Sequence, residues 1–274
     1  MSQSLKIIAT PIGNLQDISL RAKNEIEQAL VILAEDTRHT KSLVLALGLN
    51  IRPDCKWYSC NAQKEKERIE LVCQSLTQGK SVVLISDAGT PCISDPGSLL
   101  VDAIVKKGYE VNVIPGACAL IGAIMGAGLD CTRFAFLGFL PQKKSHRKKL
   151  IMNAAQADLA LVIYDSANRT QDLLDELFDY LGERRVVVAR ELTKLYETFH
   201  RGLLGQKLNP EFINKGECVV VIEKQELNLL NMQDVEHFIK KQLELGNSKK
   251  DVVTLAQKEF SLQRSVIYKM VTDA

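Results

Sequence analysis

VVLISDAGTPCISDPG, residues 82 to 97, is the stretch whose reading decides the fold. It opens with an apolar, largely β-branched run, Val82-Val83-Leu84-Ile85, preceded by Gly79-Lys80. A short run that is apolar at every position suits a strand buried on both faces of a parallel sheet. Ser86, Asp87, Gly89, Thr90, Pro91, Ser94, Asp95, Pro96 and Gly97 then supply turn chemistry, and residues 99–105 read as a helix. Strand, small-residue loop and helix make the α/β arrangement, in which ligands bind at the carboxyl ends of the strands. Gly89 would let a ligand approach the backbone, and Pro91 and Pro96 fix the path of the loop. The same residues also suit an ordinary βα loop with two tight turns.

Working outward, the same alternation recurs. Residues 5–10 form a strand ending in Pro11-Ile12-Gly13-Asn14, followed by a helix over 19–30 that Asp17 or Ser19 can cap. Residues 31–34 are a second strand, running into the polar cluster Glu35-Asp36-Thr37-Arg38-His39-Thr40, with a helix from about Lys41. A strand near Trp57, an amphipathic helix over 64–78 and a strand over 109–114 complete a mainly parallel sheet. Pro115-Gly116-Ala117-Cys118-Ala119 then leads into an apolar, small-residue helix, and the domain change is placed here. Strands over 134–140, 160–164, 185–189, 199–204 and 217–223, with a helix over 170–181, predict a second, mixed sheet. The block Lys143-Lys144-Ser145-His146-Arg147-Lys148-Lys149 is expected as a mobile loop able to hold phosphates, or else as a solvated charge run.

From Glu226 onward no strand-like run remains. Helices are expected over 235–245, 249–260 and 262–271, with Ser248 and Ser261 as N-caps. The last two have helix-turn-helix spacing, which suits either a terminal bundle or nucleic-acid binding. The expected domains are therefore 1–115 and 116–225, both α/β, and a helical extension over 226–274.

Composition narrows the function. The 274 residues carry a formal charge of +2, too small to mark a nucleic-acid binder globally, so any such surface is local. The seven cysteines form no CxxC pair and no zinc spacing, which suggests reduced thiols in a cytoplasmic protein and no metal site. No basic-then-apolar leader opens the chain, so no signal peptide is expected. The apolar run from Ala117 to Leu129 is too short to span a bilayer, and Gly122-x-x-x-Gly126 reads as close helix packing. No G-x-G-x-x-G follows a strand, and no P-loop, H-E-x-x-H or G-x-S-x-G occurs. An α/β enzyme with an unusual ligand loop is what remains.

Taken together, ATPIGNLQDISLRA, AEDTRHT, LISDAGTPCISDPG, VIPGACA, FLGFLPQK, YDSANR and VVVARELTKLYET closely resemble the small-subunit rRNA (cytidine-2′-O)-methyltransferases of the tetrapyrrole-methylase superfamily. The resemblance runs in order over about residues 5 to 223, and the tail resembles that family's C-terminal extension. It implies two αβα domains with S-adenosylmethionine in the cleft between them, a homodimer, and methylation of a cytidine ribose in the decoding centre of 16S rRNA. By motif, the cofactor positions would be Pro11, Asp87, Ala88, Gly89, Thr90, Ile93, Cys118, Ala119, Tyr164 and Asp165. Backbone groups of the Gly89 loop would meet the methionine amine and carboxylate. Asp165, Asn168, Cys60, Ala117 and Cys118 depart from the family's usual residues, which bears on the substrate side of the site.

Transfer to a ribose hydroxyl calls for a positioned nucleophile and a proton acceptor. Asp36 is the candidate base, with Glu35 beside it and Arg38 as a phosphate or ribose clamp. The same trio also suits a structural ion-pair and capping cluster. Lys143, Lys144, Arg147, Arg190 and Lys194 are the candidate RNA contacts. Two other functions fit parts of the chain: methylation of a small tetrapyrrole, and a non-enzymatic helix-turn-helix nucleic-acid binder.

Overall fold

The computed structural model describes residues 4–207, 215–224, 232–260 and 264–273. The first sheet is made by β1 (Ser4–Ile8), β2 (Val31–Ala34), β3 (Lys56–Ser59), β4 (Val82–Ile85) and β5 (Glu110–Ile114). Its order is β3-β2-β4-β1-β5 and every pairing is parallel, so β4 is the central strand. All four β4 residues are buried, as a strand covered on both faces requires.

Alternation along β4 sorts the helices. Val82 and Leu84 face a core shared with Val72, Cys73 and Leu76 of α3 (Glu65–Thr77) and Leu100 and Ile104 of α4 (Ser98–Lys106). Val83 and Ile85 face the other way, onto Ala22 and Ile26 of α1 (Leu20–Glu27) and Val44 of α2 (Thr37–Ala46). Ser19 caps α1 by accepting from the Ala22 N–H at 3.1 Å. Helix α2 starts at Thr37, not near Lys41: Asp36 is its N-cap and accepts from the Arg38 N–H at 2.9 Å. An N-cap carboxylate satisfies an otherwise orphaned backbone donor, which draws the helix back into the polar cluster.

The second sheet contains β6 (Phe134–Phe139), β7 (Ala160–Ser166), β8 (Arg185–Arg190), β9 (Thr198–Leu203) and β10 (Glu217–Ile222) in the order β6-β7-β10-β8-β9. Only β6 and β7 are parallel; the other pairings are antiparallel, so the sheet is mixed as expected. One face packs on α6 (Lys144–Ala155) and α7 (Ala167–Leu181), and the other on α5 (Ala119–Ala127). Gly126 lies against the Phe199 ring: a Cβ there would sit 2.3 Å from Phe199 Cζ, which accounts for a glycine at this position of α5.

The basic block is a correction. Residues 144–149 form the first half of α6 rather than a loop. Lys and Arg are good helix formers, and Ile151 and Ala155 anchor the helix in the core. Helix α7 likewise begins at Ala167, ahead of the expected Thr170.

Residues up to Glu223 form one compact unit, and Lys224 onward forms another. The second contains α8 (Met232–Glu244), α9 (Lys249–Phe260) and α10 (Arg264–Asp273). Val235, Ile239, Val252, Val253, Ala256, Ile267 and Val271 build its own core. Ser248 caps α9 through the Asp251 N–H at 3.2 Å, as expected; Ser261 lies outside the described residues. Among the described residues no helix is long and apolar enough to cross a membrane.

Candidate active site

The carboxyl ends of β1, β2 and β4 meet the second sheet at a cleft of about 480 Å³. The loop after β4 is its floor. Thr10 and Gly89 exchange backbone hydrogen bonds, Thr10 N–H to Gly89 O at 2.8 Å and Gly89 N–H to Thr10 O at 3.1 Å. The Gly89 peptide is therefore engaged with Thr10 rather than presented to a ligand. The Thr90 hydroxyl donates to Ala117 O at 3.0 Å, which ties the floor to the segment leading into α5. Outside the cleft, the Asn14 N–H of the segment after β1 donates to the Thr193 hydroxyl of the segment after β8 at 3.0 Å.

The far end of the loop is strained. Cys92 and Ser94 have φ of 70° and 63°, and Gly97 has φ of 130°. Non-glycine residues seldom adopt such angles unless surrounding structure holds them there. The hold here is Glu65, a buried carboxylate at the start of α3, which accepts from the Gly97 N–H.

The walls come from the second sheet. The Tyr164 hydroxyl accepts from the Leu120 N–H at 3.0 Å, and its ring meets Phe136 and Phe139 edge-on at centroid distances of 4.8 and 5.5 Å. Burial pushes the Tyr164 hydroxyl well above the ordinary tyrosine range, so it stays neutral. The Cys118 side chain does not cap α5, whose first residue, Ala119, lines the cleft; it is the Tyr164 hydroxyl that takes up the first-turn Leu120 N–H.

Of the residues expected at a cofactor, Asp87, Ala88, Gly89, Thr90, Ile93, Cys118, Ala119, Tyr164 and Asp165 line this cleft. Pro11 is buried, and its neighbour Ile12 lines the cleft in its place. Glu35 is also in the lining, whereas Asp36 and Arg38 are not. Arg38 grips Asp36 through two hydrogen bonds, at 3.1 and 2.7 Å, and this holds the Asp36 carboxyl down at about 2. The Asp36 N–H donates to Asp87 at 3.0 Å, joining the β2 and β4 ends. Burial, then the neighbouring Asp87 charge, raise the Glu35 carboxyl.

Sequence reasoning missed Asp95, Phe139, Glu217, Cys218 and Val219, all in the lining. Burial pushes Asp95 up to about 6, helped by the Glu35 charge. Among the described lining residues there is no Lys, Arg or His. Such a cleft suits a ligand with positive charge and an apolar ring system.

The candidate RNA contacts divide. Lys143 and Lys144 are exposed at the start of α6, a few residues beyond Phe139. Arg147 instead pairs with Glu176 at 2.5 Å and donates to the Pro141 and Gln142 carbonyls. The Arg190 side chain donates to Lys215 O at 2.7 Å, and Lys194 bridges Glu191 and Glu217, both at 2.9 Å. Arg147→Ala should therefore cost about 2 kcal/mol, because among the described residues it leaves a nearly buried carboxylate with Tyr180 as its remaining hydrogen-bond partner. Lys143→Ala and Lys144→Ala should be neutral; urea unfolding of the three variants checks the contrast.

Comparison with known proteins settles the family. The profile of the tetrapyrrole (corrin/porphyrin) methylases matches residues 4–208. The "Ribosomal RNA small subunit methyltransferase I" of Haemophilus influenzae is 42% identical over 224 residues, covering 80% of this chain and 78% of that one. The protein of the same name from Mycoplasma genitalium is 32% identical over 271 residues, 97% of both chains. The chain belongs to the ribosomal RNA small subunit methyltransferase I family. Methyltransferases of this family use S-adenosyl-L-methionine, and the acidic, aromatic-walled cleft fits that molecule.

Solved structures show the same fold at much lower identity. A cobalt precorrin-4 methyltransferase of cobalamin biosynthesis superposes with a TM-score of 0.58 at 16% identity, covering 81% of this chain and 95% of that one. A uroporphyrin-III C-methyltransferase from Thermus thermophilus gives 0.54 at 19%, covering 81% and 94%. These likenesses place the small-subunit methyltransferase I family on the tetrapyrrole-methylase fold.

Proposed function

We propose that this chain methylates small-subunit ribosomal RNA, at the 2′-oxygen of a cytidine ribose in the decoding centre of 16S rRNA. The observation that carries the reading is the family membership, joined to a cleft lined by nearly all the expected cofactor residues. With a ribosomal substrate, the reaction is assigned to the cytoplasm.

Bound S-adenosylmethionine supplies an electrophilic methyl group. The chain's own residues must hold the acceptor in line with it and take up a proton, and positioning can supply much of the rate. Among the candidate bases, Glu35 is better placed than Asp36: it lines the cleft, and its carboxyl is raised. Asp36 is committed to capping α2 and to Arg38, and its lowered carboxyl is a poor proton acceptor. Arg38 keeps its charge at the rim, where it can also meet a phosphate.

Lys143 and Lys144 are assigned to RNA phosphates, whereas Arg147, Arg190 and Lys194 brace the protein around the cleft. Lys143→Glu with Lys144→Glu should weaken RNA binding and flatten its log–log salt dependence by about 1.5, without changing S-adenosylmethionine affinity. An unaltered salt slope would remove the assignment. Exposed Lys249, Lys250, Arg264 and Lys269 give the tail unit a basic surface suited to the same polyanion.

The partner assigned to the chain is a second copy. On α5, Ile121 and Met125 are 45% and 81% exposed. The neighbouring β8–β9 loop exposes Leu195 and Tyr196 at 88% and 69%. Apolar side chains this exposed on adjacent elements mark an association surface. Sedimentation of Met125→Glu against the parent tests it. The two sheets are taken as the two α/β domains, dividing at residues 115 and 116.

The deciding experiment offers methyl-labelled S-adenosylmethionine and unmodified small ribosomal subunits, then maps the 16S rRNA by mass. Label on a cytidine ribose in the decoding centre supports the reading. Label on a base, or transfer to a precorrin instead, would overturn it.

A further inference from the structure

Three carboxylates in the cleft have no basic partner. Glu35 closes β2, and Asp87 and Asp95 follow β4. Among the described residues none of the three forms an ion pair; the Asp87 charge acts on Glu35, and both Glu35 and Asp87 act on Asp95. The remaining acids of the lining are compensated. Asp165 pairs with Arg169 at 3.0 Å, and Glu217, which points largely to solvent, pairs with Lys194 at 2.9 Å. Asp87 is partly satisfied by the Asp36 N–H. Asp95 and Glu35 are thus the two half-buried charges that a ligand must neutralise.

The donor expected here has a sulfonium, an ammonium and a carboxylate, for a net charge of +1. Its product, S-adenosylhomocysteine, has lost the sulfonium charge and is neutral. Everything else about the two molecules is the same except one methyl group. A cleft with unpaired carboxylates therefore has a physical means of telling them apart.

We infer that Asp95, with Glu35, makes the cleft a charge filter that holds the sulfonium donor and releases its neutral thioether product. The inference rests on the S-adenosylmethionine reading of the cleft and deepens it. Each turnover would switch off the attraction that kept the nucleoside in place, so product leaves without a conformational signal. Asp95 acts here on binding selectivity and is not assigned a bond-making step.

Calorimetric titration tests this on the full-length protein with three probes: S-adenosylmethionine, S-adenosylhomocysteine, and sinefungin, which has an ammonium near the sulfonium position. The parent should prefer both cationic probes to the neutral one by about tenfold or more. Asp95→Asn and Glu35→Gln should each erode that preference mainly by weakening the cations, leaving the neutral probe within about twofold. Circular dichroism confirms that each variant is folded, and two variants guard against loss of either. Equal weakening of all three probes, or an unchanged ratio, would overturn the filter while leaving the donor reading standing. A parent protein that bound none of the three would overturn both.

Discussion

Gly97→Ala should destabilise the protein by about 3 kcal/mol and remove ordered donor binding with it. Two costs combine at this position. The φ of 130° lies in a region that only glycine adopts readily. A methyl group there would also sit 2.9 Å from Cys92 Sγ and 2.9 Å from Leu84 Cδ2. Leu84 is a central residue of the middle strand and cannot retreat. Cys92 already has a positive φ, so displacing it would disturb the strained loop that floors the cleft. The Gly97 N–H would also lose its alignment with buried Glu65. Thermal unfolding and donor titration measure the two effects. Adding Cys92→Ala to Gly97→Ala relieves one contact but neither the φ strain nor the Leu84 clash, so recovery should stay below half. A Gly97→Ala protein within 0.5 kcal/mol (~) of the parent would mean that the loop does not take this path.

That loop also shows what was legible from residue order. The four apolar residues of β4 announced a strand buried on both faces, and alternation assigned each to its layer of helices. Strand-end residues of small size or turn chemistry marked the cleft, because a parallel sheet brings those ends to one edge. Pro11 was expected there, but the chain turns so that Ile12 faces the cleft. Asp87 and Asp95 look alike in sequence. Nothing local tells that Asp87 receives a backbone N–H while Asp95 has no basic partner. Glu217, Cys218 and Val219 enter on β10, an antiparallel return strand distant in sequence from the other lining residues. Arg147 was grouped with its basic neighbours, and only the packing of α6 against α7 reveals Glu176 as its partner. Charge runs are read from composition, but pairing depends on tertiary contacts, which composition does not encode.

Asp95→Asn should raise stability at neutral pH while lowering donor affinity, two opposite effects from one side chain. The folded state pushes the Asp95 carboxyl from an ordinary 3.8 up to about 6, first through burial and then through the Glu35 charge. Between those values the folded protein binds the proton more readily than the unfolded chain does. Stability from this group is therefore greatest below about pH 4 and falls as pH rises through 6. Above that, an ionised Asp95 costs on the order of 2 kcal/mol once solvent screening of a half-exposed group is allowed for. Asparagine keeps the shape, has no charge to desolvate, and can still meet the nearby Ser86 hydroxyl. Urea unfolding of parent and variant from pH 4 to 8 should show curves that coincide at the acid end and separate by about 2 kcal/mol above pH 7. Taking the difference between the two proteins cancels the other carboxylates, apart from Glu35, which relaxes slightly when its neighbour loses charge. A functional site that keeps a destabilising charge is the usual exchange of stability for binding. A variant less stable than the parent at pH 8 would show that Asp95 is a structural anchor, and the cleft would have to owe its preference for cations to other residues.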